Sequence, residues 1–388
     1  MAIQEVELLS RGIEEIIDVN CLKKKLKSGK KLRIKFGIDP TSPNIHIGRA
    51  IPLLKLRDFQ QLGHKIVFII GDFTGTIGDT SDKDSERPML TEKQVKENMK
   101  SYIEQAGKLL DIKKCEIHYN SEWLKKLKYH EICRQANIFS LNEFISRENI
   151  KKRLDGGKRV SLRELLYPLM QGYDSVAIKA DVEIGGTDQR FNLLAGRELQ
   201  RNYEQKAQDI ITNPLIEGLD GRKMSSSWNN TINLFDSANE MYGKVMSLSD
   251  DLIIKYFILT TRMDLDEIEK YKKAIKAGGN PRDYKMKLGF KIVKLYYSDK
   301  EAKKAEEYFI KTFSKKEVPD KMSEIKPSNY DVITALVESG ICKTRTDVRR
   351  VILQKGVKLN KEVVADGKKS VKKGDIIQKG KRFFVKVG

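Results

Sequence analysis

The 388-residue sequence predicts an α/β fold, a parallel sheet covered by helices, followed by a helical region and a small basic module. Three observations carry this. Between residues 32 and 216, apolar strand-length runs alternate with helical stretches, as in a parallel sheet with crossover helices. From about 237 to 312 the periodicity is purely helical, as in "DLDEIEKYKKAIKAG" and "KMKLGFKIVKLYYSDKEAKKAEEYF". The last 60 residues, 329–388, hold 15 Lys and Arg against 6 Asp and Glu, so +9 of the formal net charge of +20 lies in less than a sixth of the chain.

The expected strands are "LRIKFGI" (32–38), "KIVFIIG" (65–71), "CEIHY" (115–119), "DVEIGG" (181–186) and "DIITNPLI" (209–216). In sheets of this kind ligands bind beyond the carboxyl ends of the strands. Chemistry is therefore expected in "DPTSPNIHIG", "DFTGTIGDTSD", "YNSEW" and "GGTDQRFN". After the first of these, Ile51, Leu53, Leu54 and Leu56, with Lys55 and Arg57 among them, suit a helix with one buried face. If it begins near Gly48, His46 sits at its N-terminus, where free N–H groups and the positive dipole end favour an anion. A capped helix with a merely packed histidine is the other reading of these residues.

Further along, Tyr167, Gln171 and Asp174 are spaced by four and three and share one face of the helix "SLRELLYPLMQGYDSVAIKA". A core stripe explains the tyrosine but not the two polar residues. "DGRKMSSSWNN" (220–230) reads as a mobile Gly- and Ser-rich loop. A polar stretch, 314–328, reads as a linker. Beyond it, "TRTDVRRVILQKG" (344–356) is an amphipathic helix displaying Arg345, Arg349 and Arg350, and "VKLNKEVV" (357–364) is a hairpin turning through Asn360 and Lys361.

Composition bounds the function class. A hydrophobic fraction of 39% and a charged fraction of 33% describe a globular chain, and its strongest apolar run, "KIVFIIGDF" (65–73), is strand length, far short of the ~20 residues of a membrane span. The start, "MAIQEVELLS", lacks a signal-peptide pattern, so a cytoplasmic location without membrane attachment is expected. Cys21, Cys115, Cys133 and Cys342 form no CxxC spacing, and His118 and His130, each three residues from a cysteine, do not make a metal site. The excess of positive charge suits a polyanionic partner.

Two signatures then combine. "HIG" after the first strand and "KMSSS" near the end of the alternating region resemble the paired signatures of class I aminoacyl-tRNA synthetases, and the basic tail is similar to the S4 RNA-binding fold. "FGIDPTSPNIHIG", "GDFTGTIGD", "YPLMQGYD" and "GGTDQRFN" resemble the bacterial tyrosyl-tRNA synthetases over almost the whole chain, in the branch with lysine, here Lys35, before "FGIDP". The resemblance implies a Rossmann-type catalytic domain (1–220), a KMSSS loop and helical domain (221–313), the linker, and an S4-like RNA-binding domain (329–388). It implies ATP with Mg2+ as substrate, no tightly bound cofactor and no resident metal, with L-tyrosine and tRNA(Tyr) as partners. It also implies a homodimer through "LNEFISRENIKKRL" (141–154).

The resemblance places Asp39, His46, Gly48, Gly186, Asp188, Gln189, Lys223, Met224, Ser225 and Ser226 at ATP. His46, Arg49, Lys223 and Thr41 would serve catalysis. Gly37, Thr74, Asp79, Asn120, Tyr167, Gln171, Asp174 and Gln189 would surround tyrosine, with Asp174 accepting from the phenol. Phenylalanine would leave that buried carboxylate unpaired, which is costly. RNA would meet Arg345, Arg349, Arg350 and Lys358. Three positions depart from the family pattern: Arg49 where a second histidine is usual, Ser226 where a second loop lysine is usual, and Arg190 where histidine or tryptophan is more common. Arg49 either compensates at the triphosphate, or faces solvent or pairs with an acid such as Asp82. Two further readings remain open: an enzyme adenylating tyrosine or an analogue outside translation, and a catalytically impaired RNA-binding homologue.

Overall fold

A computed structural model describes residues 5–81, 85–314, 322–380 and 383–388. Its larger sheet has six strands: β1 (Glu15–Ile17), β2 (Arg33–Ile38), β3 (Lys65–Ile70), β4 (Glu116–Tyr119), β5 (Val182–Gly186) and β6 (Asp209–Asn213). Their order is β1-β6-β5-β2-β3-β4. All neighbours run parallel except β1, which pairs antiparallel with β6. The five longer strands are the five the alternation predicts. β1 is absent from that reading because three residues on a sheet edge show no period.

The sheet is covered on both faces, so its central strands are near-continuous apolar runs; Ile66, Val67, Phe68, Ile69 and Ile70 of β3 are all buried. The chain winds β2-β3-β4 to one side and then returns to lay β5 and β6 on the other side of β2. That reversal opens a crevice beyond the carboxyl ends of β2 and β5.

Four helices frame the crevice or its surroundings. α1 (Ile47–Gln61) follows β2, α2 (Glu148–Asp155) and α3 (Leu162–Ile178) precede β5, and α4 (Arg190–Asn202) follows it. α1 begins one residue before Gly48, with His46 as its N-cap. α3 and α4 approach closely: a Cβ on Gly172 would lie 2.7 Å from Leu199 and 3.1 Å from the Gly196 nitrogen.

The helical region comprises α5 (Ala238–Met246), α6 (Ile253–Thr260), α7 (Leu265–Lys276), α8 (Pro281–Tyr296) and α9 (Asp299–Phe309). The stretch 285–309 is divided because the Ser298 hydroxyl accepts from the Glu301 N–H and starts a new helix.

A second, five-stranded sheet has its own core. It is built from β7 (Ser323–Ile325), β8 (Val357–Leu359), β9 (Glu362–Val363), β10 (Ile376–Lys379) and β11 (Phe383–Val387), with helices α10 (Val332–Glu338) and α11 (Arg345–Leu353). Asn360 and Lys361 both adopt positive φ, 48° and 76°, as a two-residue hairpin between β8 and β9 requires. The stretch 314–328, read from its polarity as a linker, departs from that expectation. Residues 315–321 lie outside the described residues, and Ser323–Ile325 is a strand pairing parallel with β11, held by ladder hydrogen bonds that a polar sequence does not advertise.

Candidate active site

A cleft of about 250 Å³ lies at the topological reversal, lined from the ends of β2 and β5, the start of α1, one face of α3 and the 223–227 loop. Gly37, Asp39, Thr41, His46, Gly48, Arg49, Thr74, Asp79, Asn120, Tyr167, Gln171, Asp174, Gly186, Asp188, Gln189, Lys223, Met224, Ser225 and Ser226 all line it.

At one end, His46 is buried and its Nδ1 accepts from the Arg49 N–H at 3.3 Å, capping α1. The Arg49 guanidinium turns back along the cleft, donating to Thr41 Oγ1 at 2.9 Å and to the Asp39 carbonyl at 3.4 Å. Asp82 lies outside the described residues, so these contacts are Arg49's described polar surroundings together with the Tyr102 hydroxyl at 3.4 Å. The KMSSS loop packs directly on this helix start. Met224 is buried, and its sulfur accepts from the Gly48 N–H at 3.4 Å. Ser226 Oγ lies 3.3 Å from Ser42 Oγ. The loop, read as mobile from its glycine and serines, is tied internally in this conformation: Asn230 accepts from the Ser225 N–H at 2.8 Å and donates to Asp220 and the Lys223 carbonyl. Lys223 Nζ reaches Asp188 Oδ2 at 3.1 Å.

At the other end, Tyr167, Gln171 and Asp174 project from the same face of α3. The Tyr167 hydroxyl donates to Asp39 Oδ2 at 2.9 Å, while Thr74 Oγ1 donates to Asp39 Oδ1 at 2.7 Å. Burial pushes the Asp39 carboxyl up to about 6, against the two hydrogen bonds that favour its charge. Asp174 accepts from Trp123 Nε1 at 2.7 Å and Asn120 Nδ2 at 3.4 Å, and burial raises it to about 7. Gln189 joins the two ends, donating to Asp79 Oδ2 at 2.7 Å and accepting from Asn192 at 3.0 Å.

Arg190 is not part of the lining. It pairs with Glu15 of β1 at 2.6 Å, outside the cleft. Arg345, Arg349, Arg350 and Lys358 are exposed on α11 and β8 of the second sheet, with Arg350 also paired to Asp347.

Several residues in or behind the cleft wall escape the sequence reading. Glu183 was hidden within a strand, although a charge in a central apolar run was a signal, as was Lys35. Trp123, which reaches Asp174 from behind the wall, stands in the sequence only as one residue of the loop "YNSEW". Gly71 matters for space: a Cβ there would sit 2.1 Å from Asp39 Oδ1 and 2.3 Å from Thr74 Oγ1.

A parallel-sheet cleft closed by a lysine-methionine-serine loop against a histidine-capped helix, in a chain with a separate basic module, is the architecture of a class I aminoacyl-tRNA synthetase. Residues 27–314 match the family described as tRNA synthetases class I (W and Y), and residues 333–377 match the S4 domain. The chain is 43% identical to the tyrosine–tRNA ligase of Thermotoga maritima over 99% of its length and 97% of that protein. It is 45% identical to tyrosine–tRNA ligase 2 of Clostridium acetobutylicum, over 99% and 98%. The chain therefore belongs to the tyrosine–tRNA ligase family. The fold is shared with the Aspergillus nidulans mitochondrial tyrosyl-tRNA synthetase, C-terminally truncated, at a TM-score of 0.66 and 23% identity over 79% of this chain and 93% of that one. It is shared also with the Archaeoglobus fulgidus tyrosyl-tRNA synthetase crystallised with L-tyrosine, at 0.63 and 22% over 78% and 98%.

Proposed function

We propose that the chain activates L-tyrosine with ATP and transfers it to the 3′ end of tRNA(Tyr), with the residues of the cleft in the following roles. A tyrosine carboxylate oxygen attacks the α-phosphorus, the bond to the bridging β-phosphate oxygen breaks, and pyrophosphate leaves. The reaction needs positioning and charge stabilisation more than covalent help. His46 and the α1 N-terminus, Gly48, Arg49 and Thr41 serve the phosphates. Lys223 and the loop serines close over the β and γ groups, Lys223 exchanging Asp188 for phosphate oxygens. Gly186, Asp188 and Gln189 serve ribose and adenylate. Tyr167, Gln171 and Asp79 receive the tyrosine ammonium, Asp174 accepts from the phenol, and Gly37, Thr74 and Asn120 shape the pocket around the side chain. A ribose hydroxyl of the tRNA terminal adenosine then attacks the tyrosyl carbonyl and AMP leaves.

Magnesium enters with the nucleotide in this reading. The one group of three metal-capable side chains among the described residues, Asp18, Cys21 and Asp209, lies outside the cleft, and octahedral magnesium readily takes phosphate and water oxygens. The S4-like module has a core of its own while the catalytic and helical regions share one, and the exposed arginines of the module supply an RNA grip. No helix among the described residues is long and apolar enough to cross a membrane.

The carrying observation is that one cleft joins a polar, side-chain-sized pocket on α3 to a cationic helix start and lysine loop. Charging of tRNA(Tyr) with labelled tyrosine by the purified chain is the test. Charging that requires ATP is expected; adenylate formation without charging would favour a role outside translation.

A further inference from the structure

Two charged side chains sit where central strands are otherwise apolar. Lys35 on β2 and Glu183 on β5 are register partners in the parallel ladder. Their side chains are 0% and 1% exposed, with Nζ 2.8 Å from Oε1. All three ammonium protons are used, since Nζ also donates to the Gln171 carbonyl at 2.8 Å and to Ser175 Oγ at 2.7 Å. The Ser175 hydroxyl donates to the second Glu183 oxygen at 3.0 Å, which also accepts from Gln208. A buried ion pair stabilises a fold little, if at all, over an apolar pair of the same shape. Packing alone therefore gives no reason for it.

Its neighbours supply one. Gln171 and Ser175 bracket Asp174 on α3, and Glu183 itself lines the cleft. Among the described residues Asp174 meets only neutral donors, Trp123 and Asn120, and no cation lies within ion-pair distance of it. The charged and titratable groups around it are Lys35 from β2, Glu183 from β5 and Tyr167 from its own helix, with Asp39 and Asp79 facing Tyr167. Apart from burial, the positive charge of Lys35 is the strongest influence on the Asp174 carboxyl and pulls its pKa down, while Glu183 pushes it up.

We propose that the Lys35–Glu183 pair is a positioning element that sets the charge of Asp174 and, through it, the choice of tyrosine over phenylalanine. This rests on the reading of Asp174 as the phenol acceptor. As a carboxylate, Asp174 takes a charge-assisted hydrogen bond from tyrosine and is left buried and unpaired by phenylalanine. As a neutral acid it loses much of that contrast.

Tyrosine-dependent ATP–pyrophosphate exchange by the full chain, measured across pH for Lys35→Met, Glu183→Gln and the double variant, tests this. Lys35→Met removes the attracting charge, so the acid limb of kcat/KM for tyrosine moves to higher pH. A displacement of about one pH unit raises the tyrosine KM on that limb about tenfold, and the tyrosine-to-phenylalanine ratio narrows. Glu183→Gln leaves Lys35 unopposed, so the limb moves down and the ratio widens. The double variant leaves no lone buried charge and returns the limb toward that of the unsubstituted chain. The KM for ATP stays constant throughout. A merely structural lesion would weaken both single variants at every pH, whereas opposite displacements report charge. Limbs that stay in place, or move together, overturn the inference while the tyrosine reading stands. Absence of tyrosine-dependent exchange in the unsubstituted chain overturns that reading itself. Should Lys35→Met not fold, Glu183→Gln decides alone: a limb that stays or rises overturns the proposal.

Discussion

At the scale of single residues, the two departures from the usual signatures face the same space. Arg49 reaches Thr41 and the Asp39 carbonyl, and Ser226 meets Ser42 across the cleft mouth. A guanidinium in that position supplies charge-assisted bonds to triphosphate oxygens. Arg49→Ala should slow single-turnover tyrosyl-adenylate formation by about 2–4 kcal/mol, the cost of losing a typical transition-state donor. Arg49→His with Ser226→Lys should recover the rate, and Arg49→His alone should not. An unchanged rate in Arg49→Ala would make the arginine a tolerated substitution. Asp174 offers a second test at this scale, because its folded value of about 7 lies above the ordinary 3.8. The folded chain holds that proton more tightly, so this group's contribution to stability is complete below pH 3.8 and is lost as pH rises through about 7. Asp174→Asn keeps an oxygen for Trp123 and removes the buried charge. Its Tm should exceed that of the unsubstituted chain near pH ~8 and converge with it near pH ~4, while tyrosine activation collapses. A lower Tm at high pH would contradict the stated origin of the shift. Spacing alone brought Tyr167, Gln171 and Asp174 together. Nothing local in "EIGG" or "YNSEW" said that Glu183 and Trp123 would meet them, because those contacts depend on which strands become neighbours.

At the scale of elements, strands with a double-sided apolar period were legible, and elements defined by partners were not. β2, β3, β5 and β6 carry their burial in their own residues, β4 is only half-buried at the edge, and β1 and β7 exist through hydrogen bonds to β6 and β11. The α1 start was legible for a different reason: "NIHIG" places a capping side chain immediately before an apolar face, and the structure puts the cap on His46. The loop 220–230 shows its glycine and serines in the sequence but not the contacts that Asn230 makes across it, which depend on how the loop folds back. The basic module shares no core residues with the rest of the described chain. Removing 329–388 deletes +9 of charge and none of the cleft. Pyrophosphate exchange should survive, tRNA charging should fall, and the salt dependence of tRNA binding should flatten as phosphate contacts are lost. Equal loss of both activities would contradict this separation of roles.

At the scale of the whole molecule, the segment 141–154 and its surroundings carry apolar side chains that nothing covers within one chain. Tyr129 is 83% exposed, Leu141 63% and Leu162 77%. Exposed apolar side chains on and around this segment suit an association surface, and a second copy of the chain is the proposed occupant. Light scattering at micromolar concentration should give a dimer, and Leu141→Asp with Leu162→Asp should give a monomer; a monomeric unsubstituted chain would contradict the assignment. The central claim is that one cleft selects tyrosine and joins it to ATP. Its most direct measurement is ATP–pyrophosphate exchange by the full chain with each of the standard amino acids supplied singly. Exchange with tyrosine well above every other amino acid, phenylalanine included, is the predicted result. Exchange with none of them, or equally with phenylalanine, would contradict it.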